Sequence, residues 1–131
     1  MKPIRALATA LFVLVILGGL LELVQGIAIW SGRFPEIVPI HIGIGYGLAL
    51  VLWVLAFLGA LTRVPVSLIV LGLVWGVVMP ALGEVQEGLL PGGAHWVIQV
   101  IHLLVGLAGI ALALNLSQAV RRRAAARQAA G

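Results

Sequence analysis

Two histidines lie in otherwise apolar stretches of the chain and have matched surroundings. His41 stands near the start of the uncharged run 37–61, and His102 stands near the start of the uncharged run 96–120. Each follows an isoleucine and has a glycine four residues later. Ionisable side chains in apolar membrane segments are rare, and they usually mark functional sites. The matched positions indicate one ligand shared by the two imidazoles.

A heme iron is the ligand that this pair fits best. Iron in a heme takes axial ligands on opposite faces of a flat ring, and two parallel helices can present one imidazole each at the same depth. At about 1.5 Å per residue, His41 and His102 lie roughly 6 and 9 Å into their apolar runs. Gly45 and Gly106 follow one turn later on the same helix faces, where they leave room for a porphyrin. We therefore expect heme b between the second and fourth helices, with His41 and His102 as iron ligands.

Other polar residues that are expected toward the outer side of the membrane are candidates for holding the heme periphery. Arg33 and His95 are expected to pair with the propionates, and Gln99 lies one turn above the second histidine. Ligating imidazoles usually donate their second nitrogen to an acceptor, and Gln25 and Gln86 lie at comparable depth for that role.

Two carboxylates are candidates for proton transfer. If a quinol donates the electrons, Glu22 or Glu84 is expected to accept its proton. A second interpretation is a small dimeric proton-coupled transporter in which Glu22 is the central residue. A third is a cofactor-free accessory subunit, in which the histidines form only interhelical hydrogen bonds and glycine-lined faces contact other proteins.

The composition predicts an integral membrane protein. Of the 131 residues, 63% are apolar and 9% are charged, against about 45–50% and about 25% in soluble domains. Four segments reach the roughly 20 apolar residues that a spanning helix needs. We expect an all-α, up-down-up-down four-helix bundle in one domain, with a flexible tail at 124–131. The expected helices are about 4–30, 37–61, 65–88 and 95–120.

The charges predict the orientation in the cell (inner) membrane. Seven of the eight basic residues fall on one side of the four segments, and only Arg33 falls on the other. The positive-inside rule then places both termini in the cytoplasm. A nucleic-acid partner is not expected, because the Arg121–Arg123 cluster follows a spanning helix and suits anionic headgroups. The seven basic residues on the cytoplasmic side are Lys2, Arg5, Arg63, Arg121, Arg122, Arg123 and Arg127.

The spacing also hints at an internal duplication. An offset of 61 residues (102 − 41) superposes the two histidines, and it also superposes the glutamines and glycines of the two halves. Two pseudo-symmetric helical hairpins would explain the match. Chance would also explain it, because apolar identities carry little information in so apolar a chain.

The pattern resembles the small four-helix membrane b-type cytochromes, including the cytochrome b561-like proteins. The resemblance is carried by the four-helix layout, by His41 and His102, and by Gly45 and Gly106. It implies a membrane heme b protein that transfers electrons between a quinol or periplasmic carrier and a partner. The chain departs from di-heme members, which have four ligands, because its cytoplasmic halves contain no histidine. Ligands for one heme only are therefore expected, with quinol- or carrier-linked electron transfer at the outer leaflet and with a homo-oligomer left open.

Overall fold

The protein consists of four long helices. The structure, a computed structural model, describes residues 1–130, and no strand occurs within that range. Helix α1 spans Lys2–Trp30, α2 spans Val38–Thr62, α3 spans Val66–Val85 and α4 spans His95–Ala129. All four are long and apolar enough to cross a membrane, α2 and α3 together with the short helices that flank them. The prediction of an all-helical chain with four candidate spans is confirmed.

Proline and turn residues set the ends of the helices. Pro39 lies in the first turn of α2 and Pro65 directly precedes α3. At these positions an amide hydrogen would have no partner within the helix, so proline costs no hydrogen bond. Arg63 closes the connection between α2 and α3 with a left-handed backbone, at a φ of 61°. Short 3₁₀ helices precede α2 and follow α3, at Pro35–Ile37 and Gln86–Gly88.

The helices pack around α2 and α4. These two contact each other and both remaining helices, whereas α1 and α3 make no contact with each other within residues 1–130. The most deeply buried side chains include Leu52, Leu55 and Leu116, all in the halves of the helices distant from the histidines. His41 and His102, near the starts of α2 and α4, therefore lie at the end of the bundle away from the tightly packed core.

Close helix contacts and hydrogen bonds between helices hold the bundle together. The Trp75 indole donates to the carbonyl oxygen of Val105 at 3.0 Å, which ties α3 to α4. The Trp53 indole donates to the carbonyl oxygen of Leu73 at 3.2 Å, which ties α2 to α3. Gly76 allows the second contact, because a Cβ atom there would overlap the Trp53 ring.

The last helix extends beyond its expected end. The sequence predicts an end near Val120 and a flexible tail at 124–131, but α4 continues to Ala129, and residue 131 lies outside the described residues. Ala124 is fully buried, and the Arg127 guanidinium donates to the carbonyl oxygen of Leu61 at 2.8 Å. Alanine and arginine are strong helix formers, and this contact satisfies a carbonyl group in the last turn of α2.

Candidate functional site

A cavity of about 300 Å³ lies at the histidine end of the helices and is lined by residues of all four. It brings together most of the residues that the sequence analysis selected. Gln25 and Arg33 are the two that do not line it. The predicted site residues that line the cavity are Glu22, His41, Gly45, Glu84, Gln86, His95, Gln99, His102 and Gly106.

The two imidazoles face the same space. Their ring centres are 6.2 Å apart and their planes are tilted by 51°. Metal–imidazole nitrogen bonds are about 2.0–2.1 Å long, and a ring centre lies about 1 Å beyond its nitrogen, so two imidazoles on opposite sides of one metal have centres about 6 Å apart. The tilt is compatible with this arrangement, because each ring can turn about its own metal–nitrogen bond.

The His41 ring lies against a carboxylate. Its Nδ1 atom is 3.0 Å from Oε2 of Glu22, and both side chains are largely shielded from solvent. The separation is that of an ion pair, but the ring N–H is not aligned with the oxygen, so the contact does not meet hydrogen-bond geometry. Since Nδ1 is the enclosed nitrogen, Nε2 is the one that remains for a ligand in the cavity.

The His102 ring has no such neighbour. Its Nδ1 atom is buried and has no hydrogen-bond partner among residues 1–130. A Cβ atom at Gly83 of α3 would lie 3.6 Å from the ring, so α3 presents bare backbone there. One turn after His102, no described atom lies within 4 Å of the place that a Cβ atom of Gly106 would take. The two histidines are thus alike in sequence but different in environment.

Gln25 makes no hydrogen bond to an imidazole in this structure. Gln25 is predicted to hold an imidazole, but its side-chain oxygen is buried without a hydrogen-bond partner in the described chain, and Glu22 lies at the His41 nitrogen instead. Glu22 lies three residues before Gln25 on the same face of α1. The residue at the His41 nitrogen is therefore one helical turn away from the one that the sequence predicts. Gln86 lines the cavity from the short helix after α3.

A tyrosine that the sequence analysis does not select reaches the same cavity. The Tyr46 hydroxyl on α2 donates a 2.8 Å hydrogen bond to Oε1 of Glu84 at the end of α3. Both residues line the cavity, and Tyr46 is 48% exposed at the protein surface. The only signal in the sequence is a single tyrosine hydroxyl within an apolar run, a position that is also typical of packing residues.

The two predicted propionate partners are placed differently. His95 is the first residue of α4 and lines the cavity, and its Nδ1 atom is 3.1 Å from the carbonyl oxygen of Leu89. Arg33 is exposed in the connection between α1 and α2 and does not line the cavity. Besides Glu22 and the two histidines of α2 and α4, the polar lining of the cavity thus includes His95, Gln99 and the glutamates of α3 and the turn after it.

The donor set argues against a conventional metal-ion centre. Within residues 1–130, no group of three or more histidine, cysteine, aspartate or glutamate side chains is arranged to hold a metal ion. Two imidazoles are enough only for a metal whose other ligands come with it, as in a metalloporphyrin. Comparisons of the chain with protein-family models, with curated proteins and with solved structures found no match.

Proposed function

We propose that the protein is a single-heme membrane cytochrome b that transfers electrons at the outer leaflet. Heme b would lie between α2 and α4, with His41 and His102 as axial ligands. The proposal rests on one observation above all, the 6.2 Å separation of the two ring centres inside a shared cavity. This is the separation that ligation of one metal from both sides requires.

The residues present fit the group. The buried Nδ1 atoms of both rings leave Nε2 free for iron. Gly106 leaves open space beside His102, whereas the Glu22 carboxylate lies beside Gly45. The cavity volume of about 300 Å³ falls at the lower end of the range of ligand pockets, about 300–1,000 Å³. When bound, the heme supplies one-electron chemistry. Because two histidines would hold the iron, the site would serve electron transfer and not oxygen binding.

The rest of the cavity would position the group and accept protons. His95 lines the cavity mouth and is the partner that remains for a propionate, since Arg33 does not reach the cavity. If a membrane quinol is the donor, Glu84 is placed to take up its proton, because its carboxylate lines the cavity and already accepts a hydrogen bond from a phenolic hydroxyl.

The proposal includes a topology in the cell (inner) membrane. The helices would run up-down-up-down with both termini in the cytoplasm. Contacts at both ends support parallel α2 and α4: His41 meets His102 at their starts, and Leu61 meets Arg127 at their ends. The basic residues at the latter end support the orientation. Fusion of a reporter that is active only in the cytoplasm to the C-terminus tests it, and an inactive fusion of normal abundance would reverse the orientation.

A visible absorption spectrum of detergent-purified protein tests the function. We expect a sharp Soret band and split α and β bands after reduction. His41→Ala and His102→Ala should each remove the six-coordinate spectrum, whereas the control His95→Ala should keep it, because His95 is two turns from the iron level. Full heme with an unchanged spectrum in both ligand variants would contradict the assignment.

A proton-coupled transporter is the second candidate, and the Glu22–His41 contact favours it. A carboxylate and an imidazole 3.0 Å apart inside a membrane helix bundle are an arrangement found in proton relays. Two results together would support the transporter over the cytochrome. The protein from heme-sufficient cells would be colourless, and substrate-driven proton uptake would be lost in Glu22→Gln. Colourless protein without transport would leave the accessory subunit.

A further inference from the structure

The two imidazoles of the cavity are held by different surroundings. On the α1 side, Glu22 places its Oε2 atom 3.0 Å from Nδ1 of His41. The same oxygen would be 3.8 Å from a Cβ atom at Gly45, so the carboxylate also fills the space one turn below the His41 ring. The His41 side of the cavity therefore has a carboxylate at hydrogen-bond distance from the ring.

The α3 side offers no equivalent acceptor. On α3, Gly83 faces the His102 ring, since a Cβ atom there would lie 3.6 Å from it, and Gly83 has no side chain. The next residue, Glu84, has its Oε1 atom engaged with the Tyr46 hydroxyl at 2.8 Å. The space beside Gly106 is open, since a Cβ atom added there would meet no described atom within 4 Å. His102 thus has an enclosed nitrogen without a partner and an open space below it.

An acceptor at the second nitrogen of a ligating imidazole fixes the tautomer, orients the ring and strengthens the ligand. We propose that Glu22 is a positioning residue that holds His41 with Nε2 toward the cavity, and that His41 is consequently the stronger of two unequal iron ligands. The ligand-strength part rests on the proposed heme. A small rotation of the His41 ring brings its N–H into line with the carboxylate, because the two atoms are already at hydrogen-bond distance.

Nitrogen NMR of the heme-free full-length protein tests the positioning part. With ¹⁵N-labelled histidine, His41 should show one tautomer with the proton on Nδ1, and His102 should show a mixture. Glu22→Leu should convert His41 to a mixture, and Glu22→Gln, which keeps an acceptor oxygen, should preserve most of the single tautomer. Gln25→Leu is the matched control, because it removes a buried polar group of α1 that makes no hydrogen bond to the ring. A His41 signal that is unchanged in Glu22→Leu would overturn the proposal.

Heme retention tests the ligand-strength part. His102→Ala should bind heme at least tenfold more tightly than His41→Ala, since outer partners of metal-bound histidines typically contribute about 10–100-fold in affinity. Glu22→Leu should weaken heme binding about tenfold in the His102→Ala protein and have little effect in the His41→Ala protein. The midpoint potential should rise in Glu22→Leu and less in Glu22→Gln. Equal losses in the two single-histidine proteins would overturn unequal ligation.

The two measurements separate this inference from the proposed function. Wild-type protein without a heme spectrum would overturn the cytochrome and the unequal ligation together, and the nitrogen spectra would still decide whether Glu22 positions His41. Heme in the wild type with no dependence on Glu22 would leave the cytochrome standing and overturn the inference. If Glu22→Leu fails to fold, Glu22→Gln carries both tests, with a smaller expected shift in the same direction.

Discussion

The hydroxyl of Ser117 donates a 2.7 Å hydrogen bond to the backbone carbonyl of Ala8, which lies 109 residues earlier in the chain. Both residues are fully buried. The bond joins α4 to α1 at the end opposite the cavity, so it belongs to the scaffold and not to the site. It provides a way to perturb the helix packing without touching the histidines.

Ser117→Ala should lower the free energy of unfolding by about 0.6 kcal/mol, the typical contribution of an interhelical hydrogen bond in a membrane protein. Steric trapping or unfolding in mixed detergent measures the change. Ser31→Ala is the control, because the Ser31 hydroxyl is exposed and bonds only within its own helix end, to Ala28. Equal effects of the two changes would mean that the Ser117 bond does not stabilise helix packing.

Gly76→Ala should lower the stability by about 1–3 kcal/mol, the usual effect of an added atom in a packed interface. The new Cβ atom would overlap the Trp53 ring and push the indole away from the carbonyl oxygen of Leu73. The matched variant Gly47→Ala has no described atom within 4 Å of its new Cβ, and it should be neutral or stabilising by up to about 1 kcal/mol. Thermal unfolding in detergent separates the two, and a neutral Gly76→Ala would show that this contact is not tight.

Gly106→Leu should fold normally and lose heme. The added side chain enters open space in the heme-free protein, but it occupies the cavity beside His102 where the porphyrin is proposed to lie. Gly47→Leu is the control, because Gly47 also has open space but does not line the cavity. The ratio of Soret to protein absorbance reports the result. Full heme content in Gly106→Leu would place the ring elsewhere.

Glu84→Gln should slow reduction of the heme by a short-chain hydroquinol about a hundredfold, the lower range for loss of a general base, while reduction by dithionite is unchanged. Glu87→Gln is the control, since Glu87 lines the same cavity but Glu84 is the residue that binds Tyr46. Stopped-flow absorbance gives both rates. Equal slowing with both reductants would indicate a damaged heme site and would remove Glu84 from proton transfer.

The sequence contains enough information to place the four helices. Four runs of about twenty apolar residues predict helices long enough to span a membrane, and Pro35 and Pro65 suit the starts of the second and third helices. The end of α4 does not follow from its apolar run, because the arginines that end this run lie within the helix. A charge run ends the apolar segment but does not end the hydrogen-bonded helix, which continues through residues that favour it.

The sequence does not predict which residues contact the two histidines. Each helix is apolar on all sides, so periodicity does not tell which face of α1 meets His41. Depth alone leaves Glu22 and Gln25 one turn apart and equally plausible, and the register of α1 against α2 decides between them. The same holds for Tyr46, whose partner Glu84 is 38 residues away on another helix.

Helix α4 has 35 residues, which makes it about 52 Å long, whereas the hydrocarbon core of a bilayer is about 30 Å thick. In the proposed topology its final turns would therefore extend past the lipid, and Arg127 in the last turn holds them against the end of α2. A fluorescent protein or affinity tag joined to this end by a continuous helix would be held at a fixed distance and angle from the membrane. Its position would therefore report the orientation of the whole bundle.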